Sequence, residues 1–506
     1  MSDVIASTAA PSLRGHKVAT TICVMLAAMM QALDATIANV ALPYMQGSLS
    51  ASSQQANWVL TAYIVAAAIA TPATGALESR LGRRTLFISA VIGFVVTSML
   101  CGAARTLDQM VLFRLLQGLF GAPMVPLAQA VLLDTYPPEQ RGSAMAIFGL
   151  GVMLGPIIGP SLGGWLTDTY NWRWVFYVNL PIGIAAAIGL FIFLFEPPRN
   201  ASPRFDILGF ALLSIAIASL QLFLDRGDQL DWFAASEIWV ELTVFLVSMF
   251  MFLVQTVTAE HPFVERQMFS DRNFVTGQLL IFAVGALLLA TLALLTPYLE
   301  RLMGYPVLEA GLVLAPRGFG TMASMLLVGR IIDRMGARIL IVIGLMLTAQ
   351  ALHEMSQFTP DVSRAAIIRT GIIQGMGLGL VFVPLTTATF ATLSPRFRTQ
   401  GTAFFNLMRN IGSSVGISVT GFLLVRYTTM MHASLAESIN PFRLPIRELQ
   451  PGLANAAARA SLDLEVTAQA SAIAYSNDFR LMMYAALVLI PVVMLLQDTR
   501  SNRRAP

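Results

Sequence analysis

The sequence predicts an all-α integral membrane protein built from two six-helix halves with two further helices between them, fourteen transmembrane helices in all. Three observations point there. With 56% hydrophobic and 12% charged residues, a soluble fold of this length has too little polar surface to cover its apolar side chains. Apolar windows of about 20 residues, the length that crosses a bilayer as a helix, recur along the whole chain. A loop motif also recurs eight helices apart. No segment alternates with period two, and in lipid only helices or closed barrels satisfy the backbone.

The candidate spans lie near 18–43, 56–77, 84–104, 109–133, 142–166, 173–195, 206–225, 236–258, 273–297, 308–328, 337–355, 364–392, 400–425 and 479–497. The first is longer than a signal-peptide core and lacks an evident cleavage site, so it stays as a helix. The net charge of +4 and the sequence pI near 9.3 do not indicate nucleic acid, because the basic residues sit in short loops between spans. One side of the membrane receives Arg14, Lys17, Arg80, Arg83, Arg84, Arg141, Arg330, Arg334, Arg338, Arg396 and Arg398, among others. The short loops of the other side receive Arg105, Arg173, Arg226, Arg301, Arg364 and Arg369. This asymmetry places both termini in the cytoplasm. Cys23 and Cys101 fall inside spans and read as small packing residues rather than as a disulfide or metal ligands.

The expected organisation is a cytoplasmic tail (1–17), an N-terminal six-helix half (18–198), two additional helices (199–260), a C-terminal half (261–497) and a second cytoplasmic tail (498–506). The C-terminal half includes a long periplasmic loop over 426–478, with a polar start and an Ala-rich, mildly amphipathic remainder. That stretch is either a functional loop or a tolerated surface insertion.

The internal repeat sets the two halves. GALESRLGRRTLF after the second span matches GRIIDRMGARILI after the tenth. Gly75, Arg80, Gly82 and Arg84 align with Gly329, Arg334, Gly336 and Arg338 at constant spacing, and Asp333 belongs to the second copy. Two spans on, QGLFGAPMVPLAQA matches QGMGLGLVFVPLTTA, pairing Gln117 with Gln374. Duplicated six-helix halves are a common plan of secondary carriers.

Asp34 lies in the middle of the first span. A carboxylate at that depth costs about 2.5–3.5 kcal/mol on insertion scales, so such residues face a bundle interior or a cavity. It shares a helix face with Gln31, and Asn39 stands one turn outward. Burial raises a carboxylate pKa and a nearby cation lowers it, so Asp34 suits a site that alternates between proton and substrate. The competing reading is a structural acid held permanently by an arginine. Arg114 is either a buried partner inside the fourth span or a helix-end residue snorkelling outward. Arg317 and Arg409 are further intramembrane cations, with Arg409 placed to line the second half of a cavity and Arg317 next to a Pro316 break. Gly151, Gly155, Gly159, Gly163 and Gly164, with Pro156 and Pro160, give the fifth span a small-sided packing face. The abundant Met and Phe suit a soft cavity, as well as any lipid-facing surface. No GxxxxGK[ST] loop is present, so energy from a gradient is expected and no cofactor or metal.

Several strings resemble the major facilitator superfamily, over nearly the whole chain. LDATIANVALP is similar to the first-helix signature of its fourteen-helix drug:proton antiporters (the EmrB/QacA group). FRLLQGLFGAP, GPIIGPSLGGWL and NWRWVFYVNLPIG resemble its fourth-helix, fifth-helix and following-turn motifs. LDRGDQLDWF and HASLAESINPF resemble the EmrB branch. The resemblance implies the major facilitator fold and proton-driven multidrug efflux of hydrophobic or amphipathic small molecules by alternating access, in a bacterial inner membrane. It implies proton coupling by Asp34 and Arg114, and a substrate cavity touched by Gln31, Asp34, Asn39, Gln117, Gln374 and Arg409. Gating and structural roles would fall to Gly75, Glu78, Arg80, Gly82, Arg84, Asp333 and Arg334, and to a fifth-helix seam of Gly155, Pro156, Gly159, Pro160, Gly163 and Gly164 that prevents leak. It also implies a periplasmic adaptor of the EmrA kind and an outer-membrane channel of the TolC kind as partners. One position departs from the family pattern: where the loop motif usually has Asp before its first Arg stands Ser79, with Glu78 one residue earlier. A charge latch at this loop is therefore either absent or built on Glu78 in altered geometry.

Overall fold

The computed structural model describes residues 10–196, 205–227, 230–439 and 456–497, and their regular structure is helical throughout. Thirteen helices are long and apolar enough to cross a membrane: α1 (Lys17–Ser48), α2 (Gln55–Leu81), α3 (Arg83–Ala103), α4 (Leu107–Thr135), α6 (Trp174–Phe193), α7 (Ile207–Arg226), α8 (Ser236–Thr258), α9 (Arg272–Leu302), α10 (Glu309–Met335), α11 (Ala337–Met355), α12 (Arg364–Thr389), α13 (Pro395–Ser438) and α14 (Arg459–Val493). Between α4 and α6 the 29-residue helix α5 (Arg141–Thr169) completes fourteen. Helix starts carry their own signals. The Ser52 and Gln55 side chains form a reciprocal capping box at α2, and Thr106, Asp271 and Ser363 cap α4, α9 and α12, each satisfying amides left free at a helix start. Prolines mark the breaks. α4 is interrupted at Ala122–Pro123 and α10 at Ala315–Pro316.

The repeat read in the sequence is a repeat of packing. α1 packs on α5 and α6, α2 on α4, and α3 on α4 and α6; correspondingly α9 packs on α13 and α14, α10 on α12, and α11 on α12 and α14. The turns after α2 and α10 are copies of each other. Gly82 (φ 86°, ψ 150°) and Gly336 (φ 85°, ψ 154°) each end one helix and begin the next, in a backbone region that disfavours any side chain. The halves meet through α5 against α10 and through α2 and α4 against α13. α7 and α8 pack on each other, with α7 also touching α2 and α13. The bonds of α7 are specific: Thr61 donates to Asp225 over 2.6 Å, Ser414 to Gln221 over 3.1 Å and Ser418 to the Leu224 carbonyl over 2.8 Å. α8 is peripheral and presents large apolar side chains such as Phe250 and Val257 outward.

Hydrogen bonds between the halves gather at the face that carries the arginine-rich turns. Ser143 donates to the Gly329 carbonyl (2.8 Å), Thr402 to the Pro126 carbonyl (3.0 Å) and Asn406 to Gln129 (2.6 Å). Gly75 lies against Gln400 of α13, and its repeat mate Gly329 against Ser143 and Ala146 of α5. The molecule is thus closed at the arginine-rich face.

Residues 426–478, expected as a loop, are largely helix. α13 continues to Ser438, and the helix that becomes α14 begins at Ala456; residues 440–455 lie outside the described residues. At about 1.5 Å per residue, the 41-residue helix Arg398–Ser438 is about twice as long as a bilayer core is thick, so it projects beyond it. Low hydropathy hid these turns from a membrane-span reading. His432 on one extension and Asp463 on the other approach to 3.0 Å, which ties the two into a projecting hairpin.

Candidate functional site

Asp34 is wholly buried in the N-terminal half, where α1, α4 and α6 converge. Arg114 Nη1 of α4 stands 2.7 Å from Asp34 Oδ2, and the two side chains are 1% and 0% exposed. Oδ1 accepts from Gln117 Nε2 (2.9 Å) and from Asn179 Nδ2 (2.7 Å). A buried charge is tolerated only when paired and hydrogen-bonded, and here both oxygens are engaged. α4 places Arg114 and Gln117 one turn apart on one face, and Arg114 Nη1 also donates to Gln117 Oε1 (2.8 Å). Its Nε donates to the Val59 carbonyl (3.2 Å), and its guanidinium lies 4.3 Å from the centroid of the Tyr63 ring. Asn179 is aimed by Ser98, which accepts its amide (3.0 Å) and donates to the Phe176 carbonyl (2.9 Å). Arg114 is therefore a buried partner and does not snorkel. Beside this cluster Tyr63 is buried, with the Gln31 side chain of α1 next to its hydroxyl.

The C-terminal half repeats the frame with different chemistry. Gln374 Nε2 donates to Thr291 Oγ1 (3.0 Å), so Thr291 stands where Asp34 stands opposite Gln117. Arg317 is 6% exposed; its Nη2 donates to the Leu288 carbonyl (3.2 Å) while Nη1 has no acceptor among the described residues. Arg409 is half-buried on α13, one turn from Asn406. Gln117 and Gln374 are fully buried inside their own halves, their amides donating to Asp34 and to Thr291. Asn39 is exposed and donates weakly to the Ala35 carbonyl (3.4 Å).

At the closed face an ionic latch joins the halves. Arg83 is bonded by Glu78 and, at 2.8 Å, by Asp134. Asp134 also bonds Arg398 at the start of α13, and Arg83 Nη2 reaches Thr399 Oγ1 (3.4 Å). Glu78 thus supplies the carboxylate that Ser79 does not; the Ser79 hydroxyl returns to the Ala76 carbonyl. Arg80 lies over the Phe205 ring, and Arg84 over the Phe191 ring with its backbone amide on Glu196 (2.9 Å). In the second copy Asp333 and Arg334 are exposed.

The small-residue face of α5 lies on α1. A Cβ on Gly155 would come within 2.6–2.8 Å of Ala32 and Leu33, on Gly159 within 2.3 Å of Thr36 Oγ1 and on Gly163 within 2.7 Å of Ile37. Thr36 Oγ1 spans the contact to the Gly155 carbonyl (3.2 Å). Gly164 does not belong to this seam: nothing lies within 4 Å of its Cβ position, because a four-residue row from Gly151 reaches Gly163 and misses its neighbour. The side chains of Pro156 and Pro160 lie outside the described residues. Cys23 and Cys101 are free and buried.

Sequence reading missed Asn179, Ser98, Asp134 and the Gln129–Asn406 pair. Asn179 stood within a quoted motif, but nothing local marks which of its polar residues turns inward. The others depend on partners far away in the chain.

Paired, pseudo-repeated six-helix bundles closed at one end define a membrane carrier, and this chain belongs to the Major Facilitator Superfamily, whose family model matches residues 24–417. It is 37% identical over 424 residues to the multidrug export protein EmrB of Escherichia coli K12, covering 83% of each chain. It is 34% identical over 493 residues to the fatty acid resistance protein FarB of Neisseria gonorrhoeae, covering 96% of this chain and 97% of the relative. Among solved structures, the human organic anion transporter MFSD10 (TETRAN) superposes with a TM-score of 0.59 at 15% identity, covering 93% of this chain and 99% of that one. A bacterial homologue of the human lysosomal transporter Spinster, inward-facing and occupied, gives 0.55 at 19% identity over 96% and 98%. These two likenesses concern the fold.

Proposed function

We propose that this protein is a proton-driven multidrug efflux carrier that exports hydrophobic or amphipathic small molecules by alternating access between residues 18–198 and 261–497. The observation that carries the coupling is Asp34, a mid-membrane acid with Arg114, Gln117 and Asn179 as its bonded partners. A proton arriving on Asp34 cancels the charge that holds Arg114 and loosens α1, α4 and α6 together. The space between the halves, reached by Gln31, Asn39 and Arg409, receives the substrate, and the Arg83–Asp134–Arg398 latch opens when the substrate enters from the cytoplasm. One proton crossing 100 mV supplies about 2.3 kcal/mol, which at about 1.4 kcal/mol per tenfold supports roughly a fifty-fold gradient of a neutral substrate.

In proteoliposomes an imposed proton gradient is expected to drive substrate against the proton flux, and Asp34→Asn to abolish this while the protein remains folded. Full export by that variant removes the coupling role; uptake along the proton flux makes the protein an importer. The similarity to EmrB supports an inner-membrane location with both termini cytoplasmic, and a place in a tripartite assembly with an EmrA-like adaptor and a TolC-like channel. The hairpin of α13 and α14 is the adaptor contact in this reading. Co-purification of adaptor with a variant lacking residues 432–463 would remove that assignment.

A further inference from the structure

Asp478 on α14 is a buried acid in the C-terminal half that the mechanism above does not use. It is 0% exposed, and neither carboxylate oxygen has a hydrogen-bond donor among the described residues. Its surroundings are occupied elsewhere. From α9, Tyr298 donates its hydroxyl to the Thr359 carbonyl (2.9 Å) and stacks edge-on with Tyr475 of α14. Arg301 follows three residues further along α9. From α11, His353 approaches Gln357, and Glu354 is taken by Arg369 and Thr370 of α12. From α13, Arg426 is exposed and His432 pairs with Asp463. None of these bonds Asp478. An isolated ionised carboxylate in such a place costs so much that the group neutralises instead.

The repeat gives this acid a meaning. In the N-terminal half Gly102 of α3 lies against Tyr177 of α6; in the C-terminal half Ser356, which follows α11, accepts from Ser476 of α14. Two residues on from these contacts stand Asn179 and Asp478. At the other repeat positions Asp34 is replaced by Thr291, Arg114 by Gly371 and Tyr63 by Arg317. Among the described residues each half therefore carries one buried acid and an arginine buried away from the arginine-rich face. In the first half they come from α1 and α4 and are bonded; in the second they come from α14 and α10 and neither has an ionic partner among the described residues.

We propose that Asp478 is a second proton-binding site, carrying its proton as the neutral acid in the state closed at the arginine-rich face. It lies half a turn from the Ser356 contact, near the outer end of α11, so the proton enters from the outer side and leaves as the acid ionises when the halves rearrange. The transport part of this proposal rests on the proton-driven reading above; the protonation itself does not.

The test uses the full-length protein in lipid. Infrared spectra at neutral pH should show the carbonyl stretch of a protonated, buried carboxylic acid that vanishes in Asp478→Asn, persists in Asp34→Asn and changes frequency in Asp478→Glu. Absence of the band in the wild type, or its survival in Asp478→Asn, overturns the proposal whatever the protein transports. In proteoliposomes the proton-to-substrate ratio from reversal potentials should fall by one in Asp478→Asn. An unchanged ratio overturns proton carriage by this residue.

Discussion

Asn406 of α13 donates its amide to Gln129 of α4 across 2.6 Å, inside the closed face. Gln129 Nε2 and Asn406 Oδ1 are left buried and unpartnered among the described residues, so this tie is far from fully satisfied. The latch beside it holds the face shut with charge. Replacing Asp134 by Asn releases Arg83 and Arg398 together. Partly exposed pairs contribute about 0.2–1 kcal/mol each, so the population open at the arginine-rich face should rise roughly two- to thirtyfold for the two pairs at about 1.4 kcal/mol per tenfold. Spin labels at the exposed Glu139 and Ser394 should report a longer distance component in Asp134→Asn. An unchanged distribution would show that the latch does not hold this state.

The seam between α1 and α5 yields a paired prediction. Gly155→Ala puts a methyl against the Ala32–Leu33 backbone, which cannot turn aside. Overpacking of this kind costs about 1–3 kcal/mol, so thermal unfolding in detergent should occur at lower temperature and transport should drop. Gly164→Ala, nine residues on, meets nothing and should match the wild type in both measurements. Equal sensitivity at the two glycines would contradict the close approach.

The Asp34–Arg114 pair should behave as a unit. Breaking one member of a buried pair costs about 3–5 kcal/mol, because the other charge is left uncompensated, whereas removing both is much milder. Asp34→Asn and Arg114→Gln should each lower the unfolding temperature, Arg114→Gln doing so by leaving an ionised acid with Gln117 and Asn179 alone. The double variant should recover stability yet remain unable to couple protons to export. A double variant no more stable than the worse single would show that the pair is not the stabilising contact.

Much of this was legible in the sequence for a physical reason: membrane depth is written as span length and apolarity, and lipid leaves helices as the structure for such spans. The duplicated Gly82 and Gly336 turns were equally readable, since a positive φ restricts the residue. Asp34, Arg114 and Gln117 stood out because charge and amide are rare at that depth. Asn179 did not, because its role is set by Ser98 and Asp34, distant in sequence. The Asp134–Arg398 and Gln129–Asn406 contacts join helices from different halves, and no local pattern encodes such a partner. Gly164 was drawn into the seam by composition, which counts glycines without recording which face they occupy.

Arg317 gives the sharpest separation of stability from function. Among the described residues one guanidinium nitrogen, Nη1, is buried without an acceptor, and another, Nη2, donates to the Leu288 carbonyl. Burial holds a cation there with no carboxylate bonded to it among the described residues. Arg317→Met keeps an unbranched, shorter apolar stem and removes the charge. Replacing an unsatisfied buried polar group with a well-packed apolar one is neutral or stabilising, so unfolding should move to higher temperature. If the cation meets a partner in another state of the cycle, the same substitution should lower turnover while leaving the closed state intact. A lower unfolding temperature for Arg317→Met would mean that the arginine is already satisfied in the closed form, and its role would then be structural.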